Sequence, residues 1–254
     1  MRRAILVLLV LGTWTCCPGF AAPAHGEDFR IDTDIYVGSA TTPSAEVLTI
    51  FQGGIVYDFQ KLETMVLEPR RGKITLLDKE RQARTTLETV ELLDATISLQ
   101  TEALKSKNRA VLAAAKPDFQ TSTDEVVENG SRFTRLMFKS APLQYTVLGQ
   151  AARSPEAAQE YKYLVDWSAR LNSIRTGQPA AARLEVNEAL AAKGLVPYRI
   201  ERTMPGGTPV RTQHSVIWKL SQDDHSRIDE TGTQLVNFRL ESFDQYVANQ
   251  VKKR

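Results

Sequence analysis

The chain has 254 residues, of which 42% are hydrophobic and 24% charged, a composition typical of a folded globular protein. Its 32 lysines and arginines exceed its 30 aspartates and glutamates by two, and Arg2 and Arg3 account for that excess. The rest of the chain has no basic surplus, which argues against nucleic acid as a partner, and against an anionic membrane surface held by charge alone.

Residues 1–24 have the three-part layout of a secretory signal peptide. Two arginines precede an apolar core at residues 4–11, and Ala22-Pro23-Ala24 supplies a cleavage site of the small-x-small type. The apolar run is shorter than the roughly 20 residues needed to span a bilayer. We therefore expect cleavage near Ala24 and a periplasmic or secreted protein with no transmembrane segment after cleavage.

Both cysteines, Cys16 and Cys17, lie inside this leader. The mature chain would then lack disulfides, thiol catalysis and cysteine metal sites, which fits a bacterial periplasm better than a eukaryotic secretory route. Lipidation of either cysteine is the alternative, although the bulky Trp14 stands where lipoprotein signals usually have small residues. The remaining chain, 25–254, is predicted to form a single domain.

The first third of this domain is predicted to be a β-meander. Gly53-Gly54 joins its second and third strands, because both central positions of a two-residue hairpin turn take a positive φ. The predicted strands are Phe29–Val37, Val47–Gln52, Ile55–Gln60, Thr64–Glu68 and Lys73–Asp78.

After the meander, the spacing of the apolar residues changes from that of a strand to that of a helix. Residues 87–115 contain no proline or glycine, which predicts one helix about 40 Å long. Val90, Ile97, Leu104 and Val111 recur every seven residues along it. Polar residues between them favour a helix lying across a sheet over a coiled-coil seam.

The rest of the chain alternates between hairpins and helices. Residues 118–130 are predicted to form a loop, and Ser154-Pro155 and Gly177 to bound a helix. Further predicted elements are hairpins at 132–150 and 196–220, a helix at 184–193, a strand at 234–240 and a helix at 241–250. The predicted fold class is α+β: a curved antiparallel sheet, or meander, covered on one face by a long helix and shorter helices.

Few residues indicate chemistry. His214 and His225 could meet near Asp223-Asp224, but their spacing matches no standard metal-ligand pattern, so no metal or cofactor is predicted. In Tyr57-Asp58-Phe59 the carboxylate is either an acid or base with a raised pKa in an apolar cleft, or a residue that strand alternation turns toward water or a basic neighbour. The second interpretation is favoured. Serine-nucleophile and phosphate-loop motifs are missing from the sequence, so an enzyme ranks third among the functions considered.

Aromatic residues on the predicted strands supply the remaining signal. They form a packed core in the plainer interpretation and line a pocket for an apolar ligand in the other. The candidate ligand-binding residues are Tyr36, Phe51, Tyr57, Phe59, Phe138, Tyr145 and Trp218.

Two stretches, residues 51–59 and 65–78, resemble the periplasmic lipoprotein-carrier superfamily, the LolA/LolB-like proteins. In that superfamily a curved antiparallel sheet is plugged by helices. The likeness covers roughly residues 29–87. It implies that an acyl chain or similar apolar group binds the concave face without a cofactor. The long predicted helix exceeds the family's plug, and no arginine matches the one that latches the carrier closed, so no functional residue is carried over.

The first functional hypothesis is an exported, soluble protein that binds or carries an apolar, lipid-like ligand in a concave sheet. The alternative is a non-enzymatic interaction or structural module with an envelope protein as partner. A carrier should have an aliphatic and aromatic cavity between sheet and helices. An interaction module should have a filled core and an exposed apolar patch.

Overall fold

The computed structural model describes residues 26–141, 143–204 and 207–251, and the predicted leader with its two cysteines lies outside them. The described chain contains twelve strands in one sheet. They are β1 Phe29–Val37, β2 Ala45–Gln52, β3 Ile55–Phe59, β4 Glu63–Glu68, β5 Lys73–Asp78, β6 Ala83–Glu88, β7 Gln120–Glu128, β8 Ser131–Ser140, β9 Leu143–Ala151, β10 Leu195–Thr203, β11 Val210–Ile217 and β12 Arg239–Leu240.

The sheet is two meanders joined side by side. Its strand order is β12-β6-β5-β4-β3-β2-β1-β11-β10-β9-β8-β7, so the first and last long strands of the chain meet at the centre. Neighbouring strands are antiparallel except for β12, which pairs with β6 in parallel. The sheet is curved and does not close, which confirms the predicted α+β class. Gly53 and Gly54 both have positive φ, at 59° and 77°, as the β2–β3 turn requires.

The described residues form six α-helices beside the sheet. They are α1 Thr89–Ala103, α2 Arg109–Ala115, α3 Pro155–Thr176, α4 Ala181–Ala192, α5 Gln222–Asn237 and α6 Phe243–Val251. Within the described ranges, none of them has the length and apolar character needed to cross a membrane.

Strand alternation separates the two faces of the sheet. Ile31 and Ile35 on β1 point toward α3, on the face that we call concave. Arg30 and Gln52 point the other way and bind α5 through Asp224 and His225, so α5 lies on the convex face. The prediction placed helices on one face only, because a turn rather than a helix was expected at Asp223-Asp224.

Two apolar clusters occupy the concave face. The cluster under α3 includes Phe29, Phe51, Leu67, Leu76, Tyr161 and Leu164. The cluster under α4 includes Leu136, Phe138, Val147, Val186, Leu190 and Ile200.

The predicted helix over 87–115 is wrong in extent and in its buried face. Residues 83–88 are a strand, and α1 and α2 are separate helices because the Asn108 side chain caps α2, accepting from the Ala110 amide at 2.9 Å. Val90, Ile97 and Leu104 are 61%, 52% and 45% exposed. The buried residues of α1 lie on the opposite side of the helix, where the small Thr96 and Ala103 let it approach its neighbours closely.

Three further differences have local causes. The predicted loop at 118–130 is the edge strand β7, which looks polar in sequence because both of its faces are largely exposed. Asp223-Asp224 starts α5 instead of a turn, since Ser221 and Asp224 form a reciprocal capping box. The strand predicted at 234–240 shrinks to β12, because α5 continues to Asn237.

A buried polar cluster fastens α3 and α6 to the sheet. The Glu63 carboxylate on β4 accepts two hydrogen bonds from Arg175 of α3, at 2.9 and 2.8 Å. It also accepts from the Tyr246 hydroxyl at 3.0 Å and the Gln250 amide at 2.9 Å, both on α6. One carboxylate therefore ties together three elements that are distant in sequence.

Candidate ligand-binding cavity

A cavity of about 500 Å³ lies on the concave face, between the two apolar clusters. Six adjacent strands from β3 to β9 form its floor, and α2, α3 and the start of α4 form its roof. Its volume falls within the range of about 300 to 1,000 Å³ that small-molecule sites occupy.

The sequence leaves this space because the helices place small residues opposite the sheet. Ala110 and Ala114 of α2, and Ser168 and Ala169 of α3, face the cavity. Large side chains at these positions would fill the interior to normal packing density. The apolar part of the lining includes Ile31, Ile35, Val47, Leu164, Val165 and Ile200.

Strand register arranges the floor in rows. Ile31 pairs with Thr49, which pairs with Asp58, so this row ends in a carboxylate on β3. The next row joins Thr33 to His214 across β1 and β11. Polar groups thus enter the cavity at defined positions on an otherwise largely aliphatic floor.

His214 is a fully satisfied histidine in the cavity wall. Its Nδ1 lies 3.0 Å from the Thr33 hydroxyl and its Nε2 lies 2.8 Å from the Thr212 hydroxyl. Burial lowers the pKa of His214 to about 3, and the charge of Arg183 contributes in the same direction. The ring is therefore neutral, and either nitrogen can donate because the hydroxyls can rotate to suit it.

Asp58 faces the cavity and its side-chain partners are neutral, so the favoured prediction that it faces water or a basic neighbour is wrong. Its side chain accepts from the Thr49 hydroxyl at 2.7 Å and from the Gln60 amide at 3.2 Å. Burial raises the pKa of Asp58 above its ordinary value. Asp58 thus has the surroundings that the acid–base alternative requires, although its strand neighbours Tyr57 and Phe59 lie on the other face.

Tyr161 and Arg183 add further polar groups to the lining. Tyr161, on α3, is 5% exposed, and burial raises the pKa of its hydroxyl to about 12. The charge of Arg183, in the first turn of α4, opposes that rise and also lowers the pKa of His214. Arg183 therefore lies near both groups.

Four of the predicted ligand-binding aromatics lie on the concave face or beside it. Tyr145 lines the cavity. Phe138 belongs to the cluster under α4. Phe51 stacks on Phe29 with ring centroids 4.1 Å apart, and Trp218 lies 5.1 Å from the same ring. Of these four, Tyr145 lines the cavity, Phe51 and Phe138 belong to the core, and Trp218 packs against it.

The other three predicted aromatics point away from the cavity. Tyr57 and Phe59 stack loosely on each other, 6.4 Å apart, on the convex face. The guanidinium of Arg211 covers the ring of Tyr36 at 4.1 Å. A role for these residues in binding remains a prediction that their position in the fold does not favour.

The two histidines considered for a metal site lie on opposite faces of the sheet. His214 faces the cavity, whereas His225 on α5 contacts Gln52 on the convex face. Asp224 is 1% exposed and pairs with Arg30, so it is not the solvated carboxylate that the turn interpretation expected. In the described residues no cluster of three or more histidine, cysteine, aspartate or glutamate side chains could hold a metal ion.

Comparisons with known proteins add little to this geometry. The sequence matches no protein-family model and no curated protein. A structure of PNGF-II shares 10% identity with a TM-score of 0.39 over 87% of this chain, which spans about a third (32%) of the length of PNGF-II. The LolA superfamily protein NE2245 from Nitrosomonas europaea shares 6% identity with a TM-score of 0.28, over 78% of this chain and 89% of its own. Both likenesses are distant, and neither carries a functional argument.

Proposed function

We propose that residues 25–254 form a single exported domain that binds an apolar, lipid-like ligand in the cavity on its concave face. The observation that carries this proposal is the cavity of about 500 Å³ between the sheet and helices α2 to α4. Burial of apolar ligand surface against its aliphatic lining supplies the affinity, at about 25 cal/mol per Å². No cofactor is needed for such binding.

Export is supported by the sequence of the first 24 residues. Amino-terminal sequencing of the protein recovered from the cell envelope or the medium is expected to start near residue 25. Recovery of a chain that still begins at residue 1 would contradict export. A lipid modification on Cys16 or Cys17 would show instead that the protein is anchored to a membrane.

One observation favours the alternative function, a protein-interaction module. The side of α1 formed by Val90, Ile97 and Leu104 is exposed, as an apolar docking surface would be. An interaction module is also expected to have a filled interior, however, and the cavity departs from that expectation. Ligand binding is therefore the function that the geometry supports best.

Native mass spectrometry of the protein purified from its own cell envelope tests the proposal directly. The expected spectrum contains the mass of the mature chain together with a bound lipid. Purification that yields only the mass of the unliganded chain, combined with no uptake of added N-phenyl-1-naphthylamine, would contradict ligand binding.

Filling the cavity is expected to remove binding without unfolding the protein. In Ser168→Trp the indole, which carries roughly 150–250 Å² of surface, would occupy space beside Val165 and Ala169. We expect the affinity for N-phenyl-1-naphthylamine, measured by fluorescence titration, to fall by at least about tenfold.

The matched control is Ser226→Trp, which places the same side chain on the exposed surface of α5. Its affinity for the dye should equal that of the unmodified protein. Equal affinities in both variants would mean that the dye binds elsewhere.

A further inference from the structure

Two arginines face the cavity with no carboxylate to neutralise them. Arg183 on α4 and Arg202 on β10 both belong to the lining. Among the described residues, neither takes part in an ion pair. Arg30, Arg81 and Arg175 are also partly buried, and each is held by one or two carboxylates. Arg183 and Arg202 differ from these three in that they face the cavity and have no acidic partner in the described part of the chain.

Among the described residues of the lining, the single acidic one does not pair with either arginine. Asp58 lies on β3, its hydrogen bonds come from Thr49 and Gln60, and burial raises its pKa, which favours the neutral form. His214 is neutral near pH 7, because burial holds its pKa at about 3. The α4 and β10 side of the cavity is therefore positively charged.

The same cavity also has an apolar region. Ile31 and Ile35 of β1 and Val47 of β2 supply the aliphatic part of the floor, and Leu164 and Val165 of α3 cover it. Thr33 and Thr49 interrupt this surface with hydroxyl groups. The aliphatic side chains can bury a hydrocarbon chain but offer nothing to a charged group. A ligand that satisfies both regions must be apolar at one end and negatively charged at the other.

We propose that the ligand is an amphiphile with an acyl chain and an anionic head group, with the chain on the β1–β2 floor and the head group at Arg183. This inference rests on the proposed function and narrows its ligand. A guanidinium presents a planar fork of donors that matches a carboxylate or a phosphate, so either head group satisfies the site. Arg202 adds positive charge one row beyond Ile200, toward the β10–β11 turn.

The test compares probes that share one chain and differ in head group. Dodecanoate, dodecyl phosphate, 1-dodecanol and dodecyltrimethylammonium are titrated against bound N-phenyl-1-naphthylamine, an uncharged reporter, below the micelle concentration of each probe. From the displacement of the dye, we expect the two anions to bind at least about tenfold more tightly than the alcohol. The cation should have the lowest affinity of the four probes. The ratio of dodecanoate to dodecyl phosphate affinity identifies the preferred head group.

Substitution of the arginine should remove this preference selectively. In Arg183→Gln the affinity for dodecanoate is expected to fall about tenfold, while that for 1-dodecanol changes less than about twofold. Arg183→Lys should recover part of the loss. The control Arg132→Gln changes an exposed arginine of β8 outside the cavity and should alter neither affinity.

Failure of the anionic head group and failure of ligand binding give different results. If no probe binds, the proposed function fails. If the alcohol and the anions bind equally in the unmodified protein, or if the cation binds best, ligand binding stands and the anionic head group is wrong. Should Arg183→Gln fail to fold, the probe series on the unmodified chain and on Arg202→Gln still decides the question.

Discussion

Replacing Glu63 with glutamine is expected to lower the free energy of unfolding by about 3 kcal/mol. The Glu63 and Arg175 side chains are only 9% and 22% exposed, so the substitution leaves a largely buried guanidinium without its counter-charge. Breaking a buried pair by removing one partner costs far more than the intact pair contributes. Urea denaturation followed by circular dichroism measures the change.

The control for Glu63→Gln is Glu102→Gln, which breaks the pair between Glu102 in the last turn of α1 and Lys105 just beyond it, where the side chains are 72% and 66% exposed. Its expected effect is below about 0.5 kcal/mol, because solvent screens exposed pairs. A double replacement, Glu63→Met with Arg175→Met, should recover much of the loss, since it removes both charges. If Glu63→Gln and Glu102→Gln lower the free energy of unfolding equally, the Glu63 cluster does not stabilise the fold.

His214 is expected to make the folded protein sensitive to acid. In the unfolded chain the imidazole takes up a proton below about pH 6.5. In the folded chain it does so only near its pKa of about 3. The unfolded state therefore binds more protons between these values, and stability falls as the pH falls, by about 1.4 kcal/mol per pH unit from this group.

Urea denaturation of the unmodified protein and of His214→Gln, at several values from about pH 7 to about pH 4.5, checks this expectation. The unmodified protein should lose about 2 to 3 kcal/mol more than the variant over that interval. Thr212→Val, which keeps the imidazole but removes one of its partners, should retain the steep pH dependence. Parallel stability curves for the unmodified protein and His214→Gln would contradict the neutral, buried state of the ring.

Glu160 titrates in the opposite sense and does not affect that comparison. Burial and the nearby Glu27 and Asp28 raise its pKa to about 7. The folded state then holds this proton more tightly than the unfolded state, so the contribution of Glu160 is present at low pH and is lost as the pH rises through about 7. Because Glu160 is common to both proteins, its effect cancels in the difference.

The sheet could be predicted from the sequence because its signals are local. Alternation in Phe29–Val37 and the glycine pair at 53–54 each fix a strand or a turn within a few residues. The helix predicted over 87–115 failed for a local reason as well. Asn108 caps a new helix without a proline or glycine to mark the break, and a seven-residue spacing does not say which side of a helix is buried.

The cavity could not be predicted in the same way, because it depends on where small residues of helices meet the sheet. In the sequence, Ala114 and Ser168 look like ordinary helix residues. They leave a cavity because α2 and α3 lie over β1 and β2 in the folded chain. Arg183 likewise gives no sequence signal, since its missing counter-charge shows only after folding. Alternation could have located Asp58 once Thr49 was known to face inward, because the two residues are paired across β2 and β3.

The two edges of the sheet have different consequences for self-association. At one edge β12 and α6 screen β6, whereas β7 presents nine residues of backbone to solvent along its outer side. A bare edge of that length is a template for strand addition between copies. Asp124 and Glu128 on this strand are neutralised by Arg135 and Arg199. Glu125 is therefore the acidic side chain of β7 whose charge opposes the addition of a second copy in register.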